Sequence, residues 1–176
     1  MKKNLLAVVS SLLIFATVSL RYFIGWTSVQ TGDRLLLPVR VEKIETNAFP
    51  RMAYLRYYNF IPVEELKREK GTIVVKRSED GRIDFVANAE GQKRHSRELI
   101  LKYEIVSPVS FASEQKEPNV RFAASLLRYR DQFSPSAVRY AVVYVNAAGK
   151  AFLTGLADTT GTMLVRGIGL ERFRIL

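Results

Sequence analysis

The chain has no cysteine, a single histidine and a single tryptophan among its 176 residues. Without cysteine there can be no disulfide, no thiolate nucleophile and no zinc–cysteine centre. With one histidine, His95, and no thiolate to join it, a transition-metal site lacks its usual ligands. His95 sits in Lys93-Arg94-His95-Ser96-Arg97, where positive neighbours disfavour its charged form, and reads as an exposed loop residue. No long run of one charge sign exists, so no basic or acidic tail is implied. Internal repeats and low-complexity segments are also missing. Nothing in the sequence asks for a cofactor or a metal.

What is present begins with one long apolar stretch. After Lys2, Lys3 and Asn4 the chain is almost uninterruptedly apolar from Leu5 through Leu12 and Phe15 to Leu20. Arg21, Tyr22 and Trp26 follow. A bilayer core of about 30 Å needs about 20 helical residues at about 1.5 Å each. Leu5–Leu20 alone is slightly short, and extension to Trp26 reaches that length. Arg21 can snorkel to headgroups, and Tyr22 and Trp26 suit the interfacial aromatic belt. Lys2 and Lys3 place the amino terminus on the cytoplasmic side and export the rest. A cleaved signal peptide is the main rival, but Thr17-Val18-Ser19 is a poor cleavage site. A buried helix of a soluble core would show a polar face somewhere on its circumference.

The remaining chain is basic and rich in short strand patterns. Net charge is +10, with 27 Lys and Arg against 17 Asp and Glu, and 48% of residues are hydrophobic. That composition folds, and beside a membrane it would be drawn to anionic lipid or to an acidic partner. Nucleic acid is not expected of an exported domain. From Glu64 to Lys102 the charges of both signs interleave, as a solvated surface would.

Residues 27–33 read as a polar linker, and 34–176 as one domain. Pro38 within Arg34–Val41 predicts an edge strand or a bulge, because proline has no backbone donor. Met52–Ile61 reads as a strand. Pro62–Lys70 suits one or two helical turns. Thr72–Arg77 and Arg82–Ala87, separated by Ser78-Glu79-Asp80-Gly81, read as a hairpin. Glu98–Val106, Ala137–Asn146, Lys150–Leu156, Thr162–Arg166 and Arg172–Leu176 are further strands. Phe122–Arg130 fits either a short helix or a strand. The fold expected is a single N-terminal transmembrane helix plus one β-rich extramembrane domain, α+β and mainly antiparallel.

At Arg51-Met52-Ala53-Tyr54-Leu55-Arg56-Tyr57-Tyr58-Asn59 the chain resembles a bacterial family of small membrane-anchored proteins named for its GDYXXLXY motif. Arg51 and Tyr54 match, Met52 and Ala53 replace the Gly-Asp, Tyr57 replaces the Leu and Asn59 the last Tyr. The order of features is also similar: an apolar helix, a strand like Gly32–Leu37, then this stretch. Arg128–Pro135 and the hairpin turning at Gly149-Lys150-Ala151 resemble the family's closing segments. The resemblance implies a topology and an integral-membrane protein or complex as partner. It implies no reaction.

Searching for chemistry yields little. A serine–lysine hydrolase needs a serine beside a desolvated lysine. Ser96, Ser107, Ser110 and Ser134 lie in no recognisable signature. Asp158-Thr159-Thr160-Gly161 lacks the Asp-Thr-Gly of an aspartic protease and reads as a turn. Arg56-Tyr57, Arg128-Tyr129 and Arg139-Tyr140 fit a core aromatic beside a surface arginine. The expected protein is thus no enzyme but a bacterial inner-membrane, single-pass accessory or binding protein, with Arg51, Tyr54, Tyr57 and Tyr58 on a structural strand. The alternatives are an anchored hydrolase and a secreted basic binding domain.

Overall fold

The computed structural model describes residues 2–47, 49–58, 61, 66, 68–88, 98–106 and 119–168. Among the described residues one α-helix, α1 (Lys2–Thr31), precedes ten strands, and a short 3-10 turn lies at Pro135–Ala137. These are β1 (Asp33–Glu45), β2 (Arg51–Tyr57), β3 (Lys70–Arg77), β4 (Ile83–Asn88) and β5 (Glu98–Val106), then β6 (Asn119–Arg121), β7 (Leu126–Tyr129), β8 (Tyr140–Val145), β9 (Ala151–Ala157) and β10 (Met163–Arg166). The β-rich, antiparallel expectation holds. Strands pair in two sheets, β10-β9-β8-β1-β2-β7 and β4-β3-β5-β6, with every ladder antiparallel.

The expected linker at 27–33 is helix as far as Thr31, and β1 begins at Asp33. Thr27 and Thr31 satisfy their hydroxyls inside the helix, donating to the carbonyls of Phe23 (3.0 Å) and Thr27 (2.9 Å) four residues back. They therefore do not compete with the helical backbone as exposed turn residues would. Among the described residues no helix is long and apolar enough to cross a membrane.

Pro38 does not make β1 an edge strand. β1 lies between β8 and β2. Its first half, Asp33–Pro38, pairs with β8, and its second, Val39–Glu45, with β2. Pro38 stands where the partner changes, so its missing donor breaks no ladder. Its carbonyl still accepts from the Tyr58 N–H at 3.0 Å. Pro38 makes no bulge either; the bulge of β1 lies further on, between Val41 and Lys43.

The larger sheet curls until its two edges meet. Tyr129, ending β7, bridges Gly167, just past β10, and the Ile168 N–H donates to the Arg128 carbonyl at 2.7 Å. A bulge assists the curl, since bulges sharpen local twist. Val142 pairs with Gly155 and Val143 with Leu153, leaving Thr154 as the extra residue. Its buried hydroxyl donates to the Val142 carbonyl (3.0 Å), and its own carbonyl accepts from Gly167 (2.8 Å). The closure is tight at Gly167: a Cβ there would lie 2.8 Å from Leu127 Cδ1, which would have to shift.

Both sheets share one core. Leu35, Leu37 and Val39 of β1, Ala53, Leu55 and Tyr57 of β2, and Ala141, Val143 and Val145 of β8 meet Ile73, Val75, Leu101 and Tyr103 of the smaller sheet. Leu35, Leu37 and Val39 of β1 point inward while Leu36 points out, as a period of two requires; past the bulge the parity changes, so that Ile44 packs on the core and Lys43 is exposed. Leu36 joins Val142 and Ala157 in a second cluster, and its N–H donates to the Gly81 carbonyl at the β3–β4 turn (2.8 Å). That turn is the expected hairpin: Arg77 pairs with Ile83, and Gly81 takes φ +87. β5 forms over the expected residues. The segment expected as helix or strand at Phe122–Arg130 contains β7, a strand. Pro62–Glu65, His95 and Arg172–Leu176 lie outside the described residues.

Candidate interaction surface

Most of the exposed large hydrophobic side chains among the described residues belong to α1. Leu12, Leu13, Ile14 and Phe15 are 62%, 63%, 66% and 72% exposed. Consecutive helical residues point about 100° apart, so four of them sample the whole circumference, and no side of this turn packs on the domain. Val9, Val18, Leu20 and Phe23 are exposed as well. Fully exposed leucine, isoleucine and phenylalanine in water would each forgo about 1.5–3 kcal/mol of burial. Thr17 hides its hydroxyl on the Leu13 carbonyl at 2.8 Å, which leaves this stretch with less polar surface than its letters imply. Leu12, Phe15 and Leu20, expected in an anchor, are thus all solvent-facing. The side chains of Leu5, Arg21, Tyr22 and Trp26 lie outside the described residues.

The helix joins the domain at a charged base. Arg77 Nη1 holds Asp33 Oδ1 at 2.7 Å, immediately after α1 ends. Arg34 Nη2 donates to the Gly161 carbonyl (2.9 Å) and Arg82 Nη2 to the Thr159 carbonyl (2.9 Å). Arg82 also reaches Asp80 and lies 5.6 Å from the centre of the Tyr140 ring. These cations are spent on holding two turns against the outer Leu36 cluster.

The four residues of the motif-like strand are not brought together. Tyr57 is buried, edge-on to Phe122 at 6.2 Å, and its hydroxyl donates to the Ala124 carbonyl at 2.9 Å. Burial pushes its phenol well above the ordinary value. Tyr54 is half-buried on the opposite face, under Lys43 Nζ at 5.6 Å. Arg51 is half-buried opposite Tyr129, and Tyr58 is exposed. β2 is an interior strand, as expected, but its core aromatic is Tyr57 and not Tyr54.

No family model, curated protein or solved structure matches this chain. The likeness at Arg51–Asn59 therefore carries no family assignment.

Ionisable groups form structural clamps. Lys70, Glu104 and Arg121 are direct partners across β3, β5 and β6. Lys70 Nζ lies 2.6 Å from Glu104, and Arg121 bonds the same carboxylate. Lys70 first, and then Arg121, holds the Glu104 carboxyl down at about 2. A carboxylate so firmly ionised cannot exchange a proton near neutral pH. Asp158 accepts from the hydroxyl and N–H of Thr160 and from the Thr162 N–H, which lower its carboxyl; the sequence 158–161 is the expected turn. Ser134 Oγ lies 2.9 Å from Ser136 Oγ on the surface. Among the described residues no group of three or more metal-ligating side chains converges.

Sequence reasoning missed one group. Arg128, Arg130 and Arg166 are all exposed around the seam where the sheet closes. No local pattern could place them together, because β7 and β10 lie far apart in the chain.

Proposed function

We propose that the protein is a single-pass, membrane-anchored accessory protein whose β-barrel-like domain binds an integral-membrane partner or complex. The observation that carries this reading is the exposure of Leu12, Leu13, Ile14 and Phe15 around one full turn of α1. A helix apolar on every side is stable in hydrocarbon, where its backbone bonds are all internal and its side chains need no water. The neighbouring residues Leu5 to Leu20 and the interfacial set Arg21, Tyr22 and Trp26 fit the same environment. Ser10, Ser11 and Ser19 are small enough for another helix to approach closely. Lys2 and Lys3 favour a cytoplasmic amino terminus and an exported domain. A binding role suits a domain whose described charged clusters clamp strands and do not present a nucleophile beside a base.

The test is fractionation of the full chain. It should stay with membranes through alkaline carbonate and leave only in detergent, together with a membrane-embedded chain identifiable by mass spectrometry. Release by carbonate would overturn the anchor. An amino terminus found between Val18 and Gly32 would show cleavage instead. A phosphatase active only after export, fused to Leu176, should be active.

A further inference from the structure

Two pairs of arginines face each other on the outside of the curled sheet, and only one pair is bridged by a carboxylate. Arg40 and Arg56 are direct partners between β1 and β2. Glu42 reaches both, at 3.6 and 3.7 Å. The second pair stands at the seam. The Tyr129–Gly167 bridge is antiparallel, so the next residues outward, Arg130 and Arg166, occupy opposing positions. Arg128 lies two residues before Arg130 and so on the same face, and all three are exposed. Two carboxylates of β1 are engaged elsewhere: Glu42 by the first pair, and Glu45 by Lys43 at 2.7 Å. Asp131 follows Arg130 directly. Among the described residues none of the three guanidiniums has an ion pair or hydrogen bond.

Like charges opposed across strands are unfavourable, yet closure of the sheet forces these together. The seam is also flanked by apolar groups. Exposed Arg128 is opposite Met52 on one side, Leu126 is opposite Tyr54, and Ile168 follows on the other side; Met52, Leu126, Tyr54 and Ile168 are half-buried. We infer that this seam docks a carboxylate-bearing segment of a protein partner, whose acid bridges Arg130 and Arg166 as Glu42 bridges Arg40 and Arg56. Arginine grips a carboxylate through paired N–H groups. The Met52, Leu126 and Ile168 side chains would take an apolar residue beside that acid, a feature of polypeptides and not of a phosphate headgroup. The inference rests on the binding-protein reading and names the partner's chemistry, but it does not require α1 to be in a bilayer.

The probe is a short labelled peptide of alternating glutamate and leucine, titrated against the full chain in mild detergent. Wild type should bind it, and Arg130→Glu and Arg166→Glu should each weaken binding about tenfold or more. Either single variant should also melt no lower than wild type, because it replaces repulsion by an opposite-charge pair. A peptide of alternating lysine and leucine should not bind wild type. Failure of the acidic peptide to bind, or equal binding by wild type and variants, would overturn the inference. So would vesicles rich in anionic phospholipid displacing the peptide from wild type in an Arg130- and Arg166-dependent manner, since the seam would then read headgroups. Membrane extraction judges the anchor separately, whatever the peptide does.

Discussion

The Tyr57 hydroxyl donates to the Ala124 carbonyl at 2.9 Å, tying the end of β2 to the connection between β6 and β7. Tyr57 is 2% exposed, and its ring stands edge-on to Phe122. One side chain thus fills the shared core and fixes a loop. Tyr57→Ala should cost about 3–5 kcal/mol, as removal of a buried aromatic does. Tyr57→Phe keeps the ring and loses one hydrogen bond, about 1 kcal/mol, since Ala124 is exposed and its carbonyl can accept from water. Tyr54→Ala, on the half-buried face, should cost roughly 1 kcal/mol. Urea unfolding of the three variants checks the order, and Tyr54→Ala as the worst of them would contradict it.

Two turn glycines separate backbone strain from steric clash. Gly81 and Gly149 both have positive φ, +87 and +76. A Cβ at Gly81 would meet nothing nearer than 3.6 Å, whereas at Gly149 it would lie 2.7 Å from Ile100 Cγ2 and 3.0 Å from the Ile100 carbonyl oxygen. Gly149 also accepts from the Lys102 N–H at 2.8 Å, so it joins the β8–β9 turn to β5. Gly81→Ala should cost about 1–2 kcal/mol, the left-handed penalty alone. Gly149→Ala should cost distinctly more, because the turn must also move off β5. Equal losses in denaturant unfolding would show that the two sheets are not coupled there.

Acid should loosen the smaller sheet through Glu104. Its folded carboxyl titrates at about 2, below the ordinary 4.5, because Lys70 and Arg121 favour its charged form. The unfolded chain therefore takes up the proton first as pH falls. The stabilisation is fully present above about 4.5 and is lost as pH falls towards 2. The group is solvent-accessible, so salt should shrink the effect. Glu104→Gln should lower the melting temperature at pH 6 and narrow its difference between pH 6 and pH 2.5. An unchanged pH difference in that variant would assign the acid sensitivity to other carboxylates.

What could be read from the sequence was local. The β3–β4 hairpin is legible because Asp80-Gly81 has the turn chemistry and the flanking runs alternate. β5 is legible as a run rich in β-branched and aromatic residues interrupted by Lys102 and Glu104, and β8 as a continuous apolar-aromatic run. Pro38 misled because its rule concerns a missing donor, and the donor is not needed where β1 exchanges β8 for β2. Tyr54 and Tyr57 have opposite parity, and parity alone does not say which face is inward. That is decided by Ala53, Leu55 and Tyr57 meeting Leu127 and the second sheet, contacts distant in sequence. The arginine seam was illegible for the same reason: it exists only once Tyr129 meets Gly167.

The domain should fold without its helix. Among the described residues every member of the main core lies between Leu35 and Val165, and none belongs to α1. Among the same residues the outer cluster of Leu36, Val142 and Ala157 draws nothing from α1 either. α1 touches the domain near β8 and β9, where its end meets Asp33. Asp33 keeps its partners without the helix, since Arg77 and the pairing with Val145 come from the domain itself. A chain starting at Gly32 should therefore be soluble and cooperative in unfolding. Its melting temperature should match that of the full chain in detergent to within a few degrees, a shift of about 1 kcal/mol or less. The full chain without detergent should aggregate through Leu12, Leu13, Ile14 and Phe15, because a surface that apolar finds its own copies in water. Ile14→Lys in the full chain should reduce both aggregation and membrane retention without moving the melting temperature, since Ile14 touches no core residue. A shortened chain that fails to fold would show instead that α1 is part of the domain, and its exposed turn would then need a partner from within the protein's own assembly.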